Sequence, residues 1–79
     1  MSTKQDIIDM LTLGFAPGAA PTGKATMAEL GLDSFDVIEA QLMLKDRWGD
    51  SVVGDFVPDP NLPLDDVAAE IDRRRKWAG

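Results

Sequence analysis

Residues 33 to 49 read DSFDVIEAQLMLKDRWG. From Asp33 to Trp48 there is no glycine and no proline, and Gly49 follows at once. The stretch therefore predicts one uninterrupted helix over 33–48, closed by a left-handed glycine cap. With Asp33 as N-cap, Ser34 takes the first helical position, Asp36 the third and Val37 the fourth, while Leu32 lies just outside. A carboxylate then caps the helix, a second acid sits beside the positive end of the dipole, and Leu32 and Val37 form a hydrophobic staple. The alternative register makes Ser34 the cap; it loses the acid at the third position and leaves Asp33 without a role. In the first register the serine hydroxyl is left over, beside backbone N–H groups that favour a phosphate.

At 100° per residue, Val37, Ala40, Leu44 and Trp48 fall between about 140° and 220°, and Phe35, Ile38 and Leu42 between about 300° and 360°. One stripe serves a core. The other begins at Ser34, is bordered by Glu39 and Asp46, and is open to a partner; the competing reading is a helix central to its bundle and buried on both sides. Gln41, at about 240°, marks a partly exposed border.

Working outward, Ile7, Ile8, Met10 and Leu11 have helical spacing from Thr3 to about Leu13, with Ser2 or Thr3 as cap and Asp6 in the first turn. Gly14 is expected to end that helix. The segment 14–26, GFAPGAAPTGKAT, is rich in glycine and proline and predicts a long loop anchored by Phe15. Residues 27–30, MAEL, form one turn packed by Met27 and Leu30 before Gly31. In 50–63, DSVVGDFVPDPNLP, the three prolines allow at most a helical turn near Asp55 to Val57, with a short strand as the alternative. The last helix begins around Pro63 and sets Leu64, Val67, Ala68 and Ile71 on one face, which Trp77 either extends or leaves as the end frays. The expected fold is all-α: a small antiparallel four-helix bundle with three main helices and a short, irregular third.

A chain of 79 residues holds one core, so residues 1–79 are expected to form a single domain with a basic end at 73–79. No apolar run approaches the length of a membrane span, and the first ten residues lack the pattern of a signal peptide, which predicts a cytoplasmic protein. There is no Cys and no His, so disulfides, a soft-ligand zinc site and most catalysis by the chain's own groups are ruled out. A lone serine without a base or a nucleophile elbow does not make a catalytic nucleophile, although it can accept a group through another enzyme's chemistry. Residues 1–72 carry all 14 acids against four bases, a net of minus 10, and the remaining four bases are Arg73, Arg74, Arg75 and Lys76. Such a body repels nucleic acid and anionic membrane and attracts basic protein surfaces. The basic end is read as a solvated helix terminus that complements the dipole.

The stretch LGLDSFDVIEAQLMLKDRWG resembles the prosthetic-group site and second helix of the acyl carrier and peptidyl carrier family, whose motif is Leu-Gly-x-Asp-Ser-Leu before an acidic, apolar helix. More weakly the resemblance spans the whole chain, down to LDDVAAEI in the last helix. It implies a free-standing, monomeric carrier rather than an enzyme. Ser34 would hold 4'-phosphopantetheine, delivered from coenzyme A by a magnesium-using phosphopantetheinyl transferase with Asp33 close to the metal. The arm's thiol would carry acyl or aminoacyl groups as thioesters. Phe35, Asp36, Ile38, Glu39 and Leu42 would dock against loading ligases or transferases, synthases and modifying enzymes with basic surfaces. Phe35 replaces the commoner Leu, Ala40 and Gln41 stand where larger apolar residues are usual, and Lys45 and Arg47 interrupt the acid-rich end. These departures favour polyketide, nonribosomal peptide or related assembly over a housekeeping fatty-acid carrier. The other alternative is a helical interaction module whose serine stays unmodified.

Overall fold

Four helices account for most of the computed structural model, which describes residues 2–78: α1 (Thr3–Phe15), α2 (Ser34–Trp48), α3 (Asp50–Val53) and α4 (Leu64–Ala78). They form the expected all-α four-helix bundle. α4 packs chiefly on α1, and α3 joins α2 to α4. The shared core holds Ile7, Leu11, Met27, Leu44, Val53, Leu64, Val67 and Ile71, all but withdrawn from water. Among the described residues, no helix is long and apolar enough to cross a membrane.

Ser2 caps α1, its Oγ accepting from Gln5 N–H at 3.1 Å. Gly14 does not end this helix, contrary to expectation. A Cβ built there would stand 2.9 Å from Met43 Cε, so the missing side chain leaves room for the tip of Met43 from α2, and the helix runs on despite glycine's poor helix propensity of roughly 1 kcal/mol. The helix stops where Pro17 forces the preceding residue, Ala16, out of helical geometry; Phe15 is thus its last residue, and it packs partly buried against the core where the loop begins.

The loop after α1 is long but not loose. Thr26 and Pro63 form an isolated antiparallel bridge, and Ala28 N–H donates to Pro60 O at 3.0 Å. At the start of α4, Leu64 N–H donates to Ala25 O at 2.9 Å and Asp65 N–H to Gly23 O at 2.8 Å. Loop carbonyls thereby satisfy helix-end donors that would otherwise need side-chain caps. Pro63 lies just outside α4, which starts at Leu64.

The third helix is displaced from its expected place. One turn forms at Asp50–Val53, and Asp55–Val57 is neither helix nor strand. Gly49 (φ 89°, ψ 159°) has the positive φ expected of a capping glycine but an extended ψ, and it serves both as C-cap of α2 and as N-cap of α3. Gly54 (φ 56°) stops the turn. Val53 and Pro58 are both buried, and these two fix the segment to the core.

The basic end is helical through Ala78 and is more than a solvated terminus. Arg73 and Arg74 both bind Glu70, and Arg75 Nη1 donates to Thr3 Oγ1 at 2.9 Å while Thr3 Oγ1 donates to Asp72. Trp77 does not extend the core face; it is exposed. Hydrogen bonds from Arg73 and Arg74 hold the Glu70 carboxyl below its ordinary value. A lowered carboxylate contributes stability that is present above its ordinary value and is lost as the pH falls through the lowered one. Glu70→Gln is therefore expected to shrink the gap in urea midpoint between pH 7 and pH 3; an unchanged gap would show that solvent screens the triad completely.

Candidate functional site

The start of α2 is built by a turn that precedes it. Leu30 N–H and Leu32 N–H both donate to Met27 O at 3.1 Å, and Gly31 (φ 86°) takes the bend that a Cβ would strain. Met27 and Leu32 are buried, so the turn hangs from the core. It delivers the chain to Asp33 in extended geometry, ready to cap.

The cap is reciprocal. Asp33 Oδ1 accepts from Asp36 N–H at 2.9 Å, and Asp36 Oδ2 accepts from Asp33 N–H at 3.1 Å. Ser34 Oγ takes part in neither bond. It stands exposed at the first helical position. The N–H groups of Ser34 and Phe35, inside the first turn, have no intrahelical acceptor by the geometry of a helix start.

The two stripes of α2 separate in space. Val37, Ala40 and Leu44 are buried, with Trp48 half-buried behind them. Phe35 is 79% exposed, Ile38 52% and Leu42 55%, and Asp46 and Glu39 are exposed beside them. This excludes the reading in which both faces are buried. Asp33, Asp36 and Glu39 form no ion pair among the described residues, whereas Lys45 pairs with Asp50 at 3.5 Å and Arg47 with Asp6 at 3.1 Å. The end of α2 near Ser34 thus keeps its negative charge, and the two bases at the far end are tied to acids of the chain.

No protein-family model, curated protein or solved structure matches the chain.

One part of the site was not legible in the sequence. Gln41 Nε2 donates to Phe56 O at 3.1 Å, fastening residues 54–57 beside α2. From the other side the Arg74 guanidinium lies 4.8 Å from the Phe56 ring centroid, donates to Val53 O at 3.2 Å and is held by Glu70 at 2.6 Å. The only sequence signal was Gln41's place between the stripes. Two clefts open elsewhere: one of about 450 Å³ between α1 and Ala19–Pro21, and one of about 330 Å³ lined by Met10, Met43, Asp46 and Arg47. Among the described residues, no group of three or more acidic side chains is placed to hold a metal ion.

Proposed function

We propose that the chain is a carrier whose Ser34 accepts a 4'-phosphopantetheine arm and whose exposed α2 stripe presents the loaded arm to partner enzymes. A single observation carries this reading: the serine hydroxyl is free in solvent at a helix start whose cap is made by Asp33 and Asp36, so modification costs no structural bond. The residues fit the group. A phosphodiester on Ser34 Oγ would lie beside the N–H groups of Ser34 and Phe35 and the positive end of the α2 dipole. Asp33 Oδ2 lies outside the cap bonds and can meet a magnesium ion whose other ligands come from coenzyme A and the transferase.

In attachment, Ser34 Oγ forms a bond to the pantetheine-bearing phosphorus of coenzyme A while the phosphoanhydride bond breaks. Adenosine bisphosphate leaves, and the hydroxyl proton passes to a base of the transferase. When attached, the arm supplies a terminal thiol that holds an acyl or aminoacyl group as a thioester. Polyketide, nonribosomal peptide or related assembly suits such a carrier better than housekeeping fatty-acid synthesis, because Phe35, Ala40, Gln41, Lys45 and Arg47 depart from the usual pattern.

Incubation of the purified chain with coenzyme A, magnesium and a broad-specificity phosphopantetheinyl transferase is expected to add one arm by intact-protein mass. No addition would defeat the proposal. Docking is carried by apolar contact from Phe35 and Ile38, with basic partner groups meeting Asp36 and Glu39. Phe35→Ala is expected to raise the KM of a partner enzyme for the loaded chain roughly tenfold, on the scale of one interface anchor, and to leave the melting temperature unchanged. A lower melting temperature would mean that Phe35 packs inward. The exposed stripe also suits an interaction module with an unmodified serine, and that reading requires Ser34→Ala to keep full activity in the native pathway.

A further inference from the structure

We infer that cargo on Ser34 stays outside the bundle, with Arg74 and Gln41 locking the flank through which it would enter, so that the chain suits aminoacyl and other short, polar acyl groups. The choice of cargo rests on the carrier reading above; the lock is a property of the fold.

Beneath α2, Leu44, Val53, Leu64 and Ile71 are packed to near-zero exposure and leave an entering alkyl chain nothing to fill without displacing them. α2 and α4 do not pack directly on each other; α3 and the segment 54–57 after it bridge the flank between them. This segment is held from two helices at once: Gln41 of α2 grips the Phe56 carbonyl, and Arg74 of α4 covers the Phe56 ring and binds Val53 O. Lifting it breaks both grips together and strips a guanidinium of a stacked ring and a carbonyl acceptor. Glu70 fixes Arg74 in place by a charge-assisted bond of 2.6 Å, so the lock is preorganised.

Neither open cleft lies at the root of the arm. Met43, Asp46 and Arg47 of the smaller one lie nine to thirteen residues beyond Ser34, about 14 to 20 Å along the helix at 1.5 Å per residue. The larger is lined by α1 and the loop, without a residue of α2. An alkyl cargo held outside keeps each methylene in water, whereas an aminoacyl or hydroxylated short acyl group is at no disadvantage there.

The chain has no cysteine, so Ser34→Cys gives a single attachment point that needs no transferase. Its thiolate reacts with an alkyl methanethiosulfonate to form a mixed disulfide with loss of methanesulfinate. Dodecyl and hydroxyethyl tags are compared by backbone amide NMR shifts. The expected result is that both tags move only residues around 32–38, with Val53, Phe56, Leu64 and Ile71 unchanged between them. Movement of those four by the dodecyl tag alone would overturn the inference. In the background Arg74→Ala with Gln41→Ala, the dodecyl tag is expected to move them; if it does not, these residues are not the lock. Should the double variant fail to fold, Arg74→Lys keeps the charge and loses the forked donor, and the same outcomes apply. Entry of the dodecyl chain would leave the carrier reading intact, whereas absence of enzymatic arm addition would end that reading and leave the lock standing.

Discussion

Ser34→Ala is expected to take no arm from coenzyme A and to unfold at the same temperature as the unmodified wild type. Both halves follow from one arrangement. The hydroxyl is the only group the substitution removes, and it is exposed and outside the cap, so its loss should fall within about 0.5 kcal/mol of neutral. Asp33→Ala behaves oppositely: it deletes the acceptor for Asp36 N–H and is expected to cost about 1 kcal/mol of stability while leaving the serine in place. Intact mass and thermal melting of the two variants side by side separate chemical from structural work at neighbouring positions. A carrier also loses all activity in its native pathway with Ser34→Ala. If that variant instead melts well below wild type, the serine belongs to the cap and the functional reading loses its footing; if it still gains an arm, attachment lies elsewhere.

Much of this arrangement is local, and local patterns are what a sequence displays. The cap of α2, its register and the division of its face into a buried and an exposed stripe follow from residues 32–48, each within a turn or two of the next. The buried face of α4 is equally local. Gly14 misled because its meaning is non-local: glycine disfavours a helix by itself, and only the nearness of Met43 shows what its missing side chain permits. The displaced third helix has a related cause. Gly49 ends one helix and opens the next with the same positive φ, and no propensity at Asp50–Val53 signals that Val53 will be drawn into the core. The lock around Phe56 joins residues 15 and 18 positions apart in sequence and depends on the whole packing of α3. For the same reason three arginines that looked like a solvated end prove to be tied to Glu70, Val53 and Thr3.

Leu44→Ala is expected to cost about 3 kcal/mol, while Leu42→Ala, two residues away on the same helix, should cost less than about 1 kcal/mol. The chemistry is identical and helix propensity changes equally, so the difference isolates the side of α2 on which each leucine lies. Leu44 is 1% exposed and Leu42 55%. Truncating the first leaves a cavity lined by core side chains that cannot all collapse, and the neighbour on its own face, Ala40, is already too small to fill it. A chain of 79 residues has a total stability of roughly 4 to 12 kcal/mol, so the loss is a large fraction of the whole and moves the melting temperature by more than about 10 °C. Val67→Ala on the buried face of α4 removes less volume and is expected to cost about 2 kcal/mol. Urea midpoints at constant m-value measure all three. Equal losses at positions 42 and 44 would mean that α2 is buried on both sides. Phe35, Ile38 and Leu42 could then not receive a partner, and Ser34 would open onto the core instead of onto a docking face.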